Sequence, residues 1–218
     1  MSRSNVPLRP RIYHITHLDN LPAILESGCL WSDAKRLELG LATEIVGISG
    51  IKARRLKDRP VKCHPDTRVG EYVPFNFCPR SVMLYILHMG NRPGLSYHGG
   101  QQPIVHLVAD MQDAVTCAQP SGRPWSFSDR NAGTWYAAFF CSLGDLGSIN
   151  WDAVRATDFR DPVVKDGKQA EFFVHECFSW HLVERIGVYS KDIQESVEEM
   201  MAGADHQPAV SVERSWYY

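Results

Sequence analysis

Several familiar signatures are missing from this sequence. No apolar run approaches the roughly 20 residues a bilayer crossing needs. The basic start, MSRSNVPLRPR, has no apolar stretch behind it to act as a secretion signal. A cytoplasmic protein with no membrane contact is therefore expected. The six cysteines are scattered and form no CxxC, which favours reduced, mostly buried thiols over a disulfide framework. No HExxH occurs, and neither Cys63 beside His64 nor His175 with Cys177 has the spacing of a known zinc site, so no metal is expected. There is no P-loop, no GxGxxG after a strand and no GxSxG elbow, which removes the commonest nucleotide-binding and serine-hydrolase designs. A large charge imbalance is also missing: a net charge of −2 leaves room for local patches and names no partner.

What is present is an ordinary folded composition. At 218 residues and 44% apolar, the chain is long enough and apolar enough for one real core. Without repeats or linkers, it divides into a flexible N-terminal arm, residues 1–10, and a single domain, residues 11–218. RIYHIT alternates like a first strand. LDNLPAILESGCL reads as a short helix, with Asp19 or Asn20 to cap it, Pro22 in its first turn and Gly28 to end it. Glycines 47 and 50 argue against a long helix in EIVGISGIKARRLK. EYVPFNFCP and QPIVHLVAD read as strands, the first with an irregularity at Pro74, and RSVMLYILHMGN as a buried helix. Residues 142–168 look only partly structured. QAEFFVHECFSW is strongly β-prone, LVERIGVYS gives a last strand, and KDIQESVEEMMA closes as an amphipathic helix. The mixture lacks regular βαβ spacing, so the expected class is α+β with a mostly antiparallel sheet.

Three places hold side chains suited to chemistry. Lys52, Arg54, Arg55, Lys57, Arg59 and Lys62 stand against a single acid, Asp58; such a run can track phosphates, or be a solvated face. Glu171 heads an apolar strand, either as an acid at the lip of a cleft or as an edge charge that blocks further pairing. His14 sits on the first strand and, taken alone, reads as a packed polar residue.

Read in order, YHIT, PFNFCPRSVMLY and AEFFV resemble the ADP-ribosyltransferases of the diphtheria-toxin and PARP-like class. IYHITHLDNLPAILESGCLWSD and GISGIKARRL extend the resemblance, over about residues 11–190, to the DarT family of DNA ADP-ribosyltransferase toxins from bacterial toxin–antitoxin pairs. That resemblance implies an ADP-ribosyltransferase fold with an NAD cleft, and NAD as substrate. It places His14, Thr16, Asn20, Leu21, Phe77, Ser81 and Tyr85 on the dinucleotide, with Phe77 and Tyr85 walling the nicotinamide. It makes Glu171 the acid that stabilises positive charge on the ribose. It puts a further catalytic role on Arg54 or Arg55, with Arg55 preferred.

The implied acceptor is a base in single-stranded DNA, thymine ahead of guanine. Lys52, Lys57 and Arg59, with Arg155, Arg160 and Lys165 of the loop before Glu171, would hold the strand. Trp125, Phe127 and Trp135 are candidates for stacking on bases. The implied partner is a cognate antitoxin of macrodomain type, and a monomer is expected. Competing readings are an RNA 2′-phosphotransferase-like NAD enzyme and an inactive nucleic-acid-binding module.

Overall fold

The computed structural model describes residues 6–218. The first five residues of the expected arm lie outside this range. From residue 6 onward the arm is docked rather than free. Val6 packs on the core, the Arg9 guanidinium donates to Asp110 at 2.9 Å and Asp113 at 2.6 Å, and Gln112 donates to the Leu8 carbonyl.

The chain enters through β1 (Arg11–His17), α1 (Leu21–Ser27), β2 (Cys29–Trp31) and α2 (Asp33–Glu38). Pro22 lies in the first turn of α1, and Gly28 ends that helix at a φ of 63°, where only glycine is unstrained. Next comes α3 (Ser49–Lys57), which forms despite the nearby glycines. Gly47 lies ahead of it and Gly50 falls in its first turn, where glycine costs the helix least. The hairpin β3 (Pro60–Val61) and β4 (His64–Arg68) leads to β5 (Tyr72–Asn76) and the buried helix α4 (Val82–Met89). Then follow β6 (Ile104–Asp110), α5 (Met111–Ala118), β7 (Trp125–Ser128) and β8 (Phe139–Phe140).

Residues 142–168 hold more structure than their composition suggests: a 3-10 turn, α6 (Trp151–Arg155) and α7 (Pro162–Gly167). Trp151 is buried against Phe77, and the buried Lys168 ammonium donates to the carbonyls of Val154 and Ala156. The expected long strand after residue 169 breaks at Glu176, whose φ is 57°. It becomes β9 (Glu171–His175) and β10 (Cys177–Ser179). β10 pairs with β2, bringing the Cα atoms of Cys29 and Cys177 to 6.0 Å, and the two cysteines form a disulfide. The expectation of reduced thiols throughout fails for this pair. The chain closes with β11 (Arg185–Val188), α8 (Lys191–Met200) and a further strand, β12 (Ala209–Val212), which the sequence did not announce.

Among the described residues the main sheet runs β12-β11-β6-β1-β5-β9-β7-β8. It is antiparallel except where β12 returns beside β11. The α+β, mostly antiparallel expectation holds. One side carries Ile12, Phe75, Leu107 and Phe172 in the main core. On the other, Ile15, Leu84 and Leu87 pack with Ile48 and Ile51, which brings α3 onto the sheet.

The sheet loosens at its centre. β5 and β9 pair along five residues, whereas β1 and β5 share only Tyr13 opposite Asn76. Pro74 explains the gap. Its carbonyl accepts from His14 on β1, and a strand residue's N–H and C=O point the same way, so its missing donor also faces β1.

Gly70 lets α3 lie close against the turn that precedes β5: a Cβ there would come within 2.8 Å of the Leu56 backbone. Gly70→Ala is expected to destabilise by about 1–3 kcal/mol and lower the Tm by several degrees. An unchanged melting curve would show that α3 is not held at that distance.

Candidate active site

Glu171 begins β9 opposite Asn76 on one side and Ser128 on the other. Its carboxylate meets the Arg55 guanidinium in two parallel bonds, Nη1 to Oε2 at 2.9 Å and Nη2 to Oε1 at 2.6 Å. Oε1 also accepts from the backbone N–H of Ala132 at 3.0 Å. Arg55 Nη2 reaches Asn131 Oδ1 at 3.2 Å; that oxygen accepts from Gly133 N–H too, and the Asn131 amide donates to Gln169. The paired side chains keep only 16% and 10% of their exposure, so the pair is largely shielded from water. Breaking a buried pair costs about 3–5 kcal/mol because the survivor is left uncompensated; the residual solvent access here puts the cost at the low end.

Arg54, one residue earlier, points to solvent and bonds only to the Gly50 carbonyl of its own helix among the described contacts. The two arginines that sequence could not separate are thus separated in space. Asn131 and Ala132 were not anticipated. They lie in the β7–β8 connection, and no local pattern ties that turn to Glu171.

A second group gathers where β1 and β5 part. His14 Nδ1 donates to the Pro74 carbonyl at 2.8 Å, which leaves Nε2 as a lone-pair acceptor. Burial, with a smaller contribution from the Lys52 charge, pushes the His14 pKa down to about 4, so the ring is neutral near pH 7. Thr16, two residues on, shares its side of the strand and accepts from the Asn20 amide at 3.0 Å. Asn20 does not cap α1 with its side chain; it clasps the backbone of Glu44 in both directions, at 2.9 and 2.7 Å. By strand alternation Tyr13, not His14, falls on the side of Glu171. The structure therefore forms two groups, and α3 bears on both: the Lys52 charge acts on the first and Arg55 belongs to the second.

The remaining expected residues fall as follows. Leu21 is fully buried in the core. Phe77 is buried against Trp151, and Ser81 caps α4 by accepting from Leu84 N–H. Tyr85 is half-buried and meets Phe159, from the loop before Glu171, edge to face at 5.4 Å. Lys52 pairs with Asp33, Arg155 with Asp152 and Arg160 with Asp158, while Lys57 is exposed. Arg59 is half-buried, with its Nε shielded from water. Trp125 and Phe127 are buried in β7 and cannot offer a face to a base; Trp135 is 75% exposed and can. Lys165 helps line an open groove of about 570 Å³ with Asp129, Arg130, Tyr136, Asp166 and Gln169. Through Gln169 and Asn131 that groove reaches the Arg55–Glu171 pair.

The sequence profile of the family described as ssDNA thymidine ADP-ribosyltransferase, DarT, matches residues 13–218. The chain belongs to the DarT family. It is 40% identical to a DNA ADP-ribosyl transferase of Thermus aquaticus across 97% of this chain and 90% of that one. It is 37% identical to one from Thermus sp. 2.9 over 95% of each. The structure superposes on Thermus sp. 2.9 DarT in complex with ADP-ribosylated ssDNA with a TM-score of 0.88, at 35% identity and full coverage of both chains. For the same enzyme in complex with NAD+ the TM-score is 0.82, over 98% of this chain and all of that one. This DarT is accordingly an NAD-dependent DNA ADP-ribosyltransferase, with thymidine as the family's acceptor. The guanine, RNA-phosphotransferase and inactive-module readings give way to it.

The depressed His14 pKa makes a testable demand. An unfolded imidazole takes its proton near pH 6.5, the native one only near pH 4, so native stability falls as pH drops through that window. His14→Gln, which keeps a donor for Pro74, is expected to lose less stability than the parent between about pH 7 and about pH 5 in denaturant titrations. His106, similarly depressed, is common to both proteins. Equal losses would refute a neutral, desolvated His14.

Proposed function

We propose that this DarT moves the ADP-ribosyl group of NAD onto thymine in single-stranded DNA, with Glu171 and Arg55 at the reacting centre. The bidentate Arg55–Glu171 contact carries the assignment. When the glycosidic bond breaks, nicotinamide leaves with the electron pair and positive charge grows on the ribose, where a nearby carboxylate stabilises it. Oε1 of Glu171 is occupied by Arg55 and Ala132, while Oε2 has Arg55 alone among the described contacts. Oε2 is therefore the oxygen with capacity left for a ribose hydroxyl. A base N–H must lose its proton before the ring nitrogen attacks. That proton passes to bulk water rather than to Arg55, since a guanidinium is too weak a base to hold it. The part of Arg55 is to orient the base and offset negative charge as the proton departs.

On the dinucleotide side, His14 Nε2 would accept from a ribose hydroxyl, with Thr16 and Asn20 shaping the strand end beside it. Leu21, Phe77 and Ser81 would act by holding the walls, and Tyr85 by pressing the loop at Phe159 toward the cleft. On the DNA side, Lys52, Lys57, Arg59, Arg155, Arg160 and Lys165 would supply phosphate contacts. The groove beside Gln169, with exposed Trp135 and Tyr136 at its side, gives the strand a course and its bases a face to stack on. Several of these cations already sit beside acids, so the affinity they confer should be modest and strongly salt-dependent. Family membership supports a cognate macrodomain antitoxin as partner. DNA and NAD as substrates fit a monomer working in the cytoplasm without a metal in the reaction.

The test is incubation with NAD and thymine-containing single-stranded oligonucleotides, read by intact mass. The parent should add ADP-ribose to DNA. Glu171→Ala and Arg55→Ala should each lose about a hundredfold or more in rate, the scale of removing one preorganised electrostatic group. Arg54→Ala should stay within about threefold. Modification confined to protein, or equal damage from Arg54→Ala and Arg55→Ala, would overturn the assignment.

A further inference from the structure

Cys63 and His64 adjoin each other in the β3–β4 hairpin, and folding brings a third soft ligand to them from far along the chain. Cys141 follows β8 directly, and the two sulfur atoms and a ring nitrogen of His64 all lie within 4.8 Å of one another. Sequence spacing hid this set because its third member comes from another element. Tetrahedral zinc, with bonds of about 2.3 Å to sulfur and about 2.0 Å to nitrogen, holds such atoms roughly 3.5–3.8 Å apart. The cluster needs only a small contraction to reach that geometry.

The surroundings also suit a metal. His64 Nε2 donates to the Trp125 carbonyl at 3.0 Å, which fixes the ring and leaves Nδ1 as the lone-pair nitrogen. A metal-ligating histidine commonly has its other ring nitrogen tied in this way. The neighbouring strands are fastened independently of the cysteines, since the Lys62 ammonium donates to the Ala137 carbonyl at 2.6 Å and to that of Trp135 at 3.2 Å. Cys63 packs at the edge of a small core that contains Ala132 and Phe173. Ala132 is the residue whose N–H holds Glu171.

We propose that Cys63, His64 and Cys141 bind one zinc ion through two thiolates and an imidazole, with water in the fourth position. Binding releases the two thiol protons and needs no oxidant. The ion joins the hairpin that follows the Arg55 helix to the root of the segment leading to Glu171. Its role is to clip together the two walls of the active site; it takes no part in the reaction. A disulfide between Cys63 and Cys141 is the competing outcome, but it gives no reason for an imidazole held in place beside the two sulfurs.

The experiment titrates the full-length, chelator-stripped protein with cobaltous ion in thiol-free, anaerobic buffer, because cobalt replaces zinc and reports thiolate ligands by a charge-transfer absorption. The unaltered chain should develop that absorption to a single equivalent, and zinc should abolish it. Cys141→Ser and His64→Ala should weaken the site by about a hundredfold or more, whereas Cys117→Ser, a free exposed thiol outside the cluster, should leave it unchanged. Absence of the band in the unaltered chain would overturn the proposal without reference to any variant. So would a band that survives Cys141→Ser, or peptide mapping that finds Cys63 and Cys141 joined to each other.

Discussion

The paired bonds between Arg55 and Glu171 are the constraint on which the site depends. A carboxylate heading an apolar strand is costly unless something meets it. Here a helix, a turn and a strand converge to do so. α3 brings the guanidinium, the β7–β8 connection brings the Ala132 N–H and the Asn131 oxygen, and β9 fixes the carboxylate in register with Asn76 and Ser128. Close packing behind these elements keeps the geometry. Ile48 and Ile51 anchor α3 in the second core, and Gly70 allows the backbone of Leu56 to come near.

The looseness at the middle of the sheet is the complementary feature. Pro74 withholds a donor from β1, so the sheet opens there instead of closing along its length, and the His14 imidazole reaches the exposed carbonyl. The same imidazole is kept neutral by its burial, so it presents a hydrogen-bond acceptor rather than a positive charge. One group is thus paired around a carboxylate, and the other is parted around a neutral ring. That division suits an enzyme that must hold a dinucleotide in a cleft and develop charge at only one end of it.

Much of this was legible in the sequence, and the failures have physical causes. The strand around His14, the apolar run after Glu171 and the helix of SVMLYIL were visible because each carries its own periodicity. Arg54 and Arg55 could not be told apart because the glycines disguised α3. Once the helix is granted, Ile48, Ile51 and Arg55 fall on one stripe and Arg54 falls outside it. Asn131 and Ala132 left no trace, since a turn's contact with a strand almost forty residues later has no local pattern. The Cys29–Cys177 bond was missed for the same reason: it depends on a strand break at Glu176 that β propensity does not foresee. Trp125 and Phe127 illustrate the opposite error, in which residues suited by type to stacking on bases are consumed by the core.

In the proposed reaction Glu171 serves the ribose through Oε2 while Arg55 keeps its hold on Oε1. A crystal structure of this chain with a non-hydrolysable NAD analogue and a thymine oligonucleotide would show whether that division of the two oxygens holds. Oε2 is expected at roughly 2.6–3.0 Å from a hydroxyl of the nicotinamide ribose, with Arg55 still bonded to Oε1 and reaching toward the base. A ribose seated away from Glu171, or an Arg55 turned out to solvent while Arg54 meets the base, would contradict that expectation.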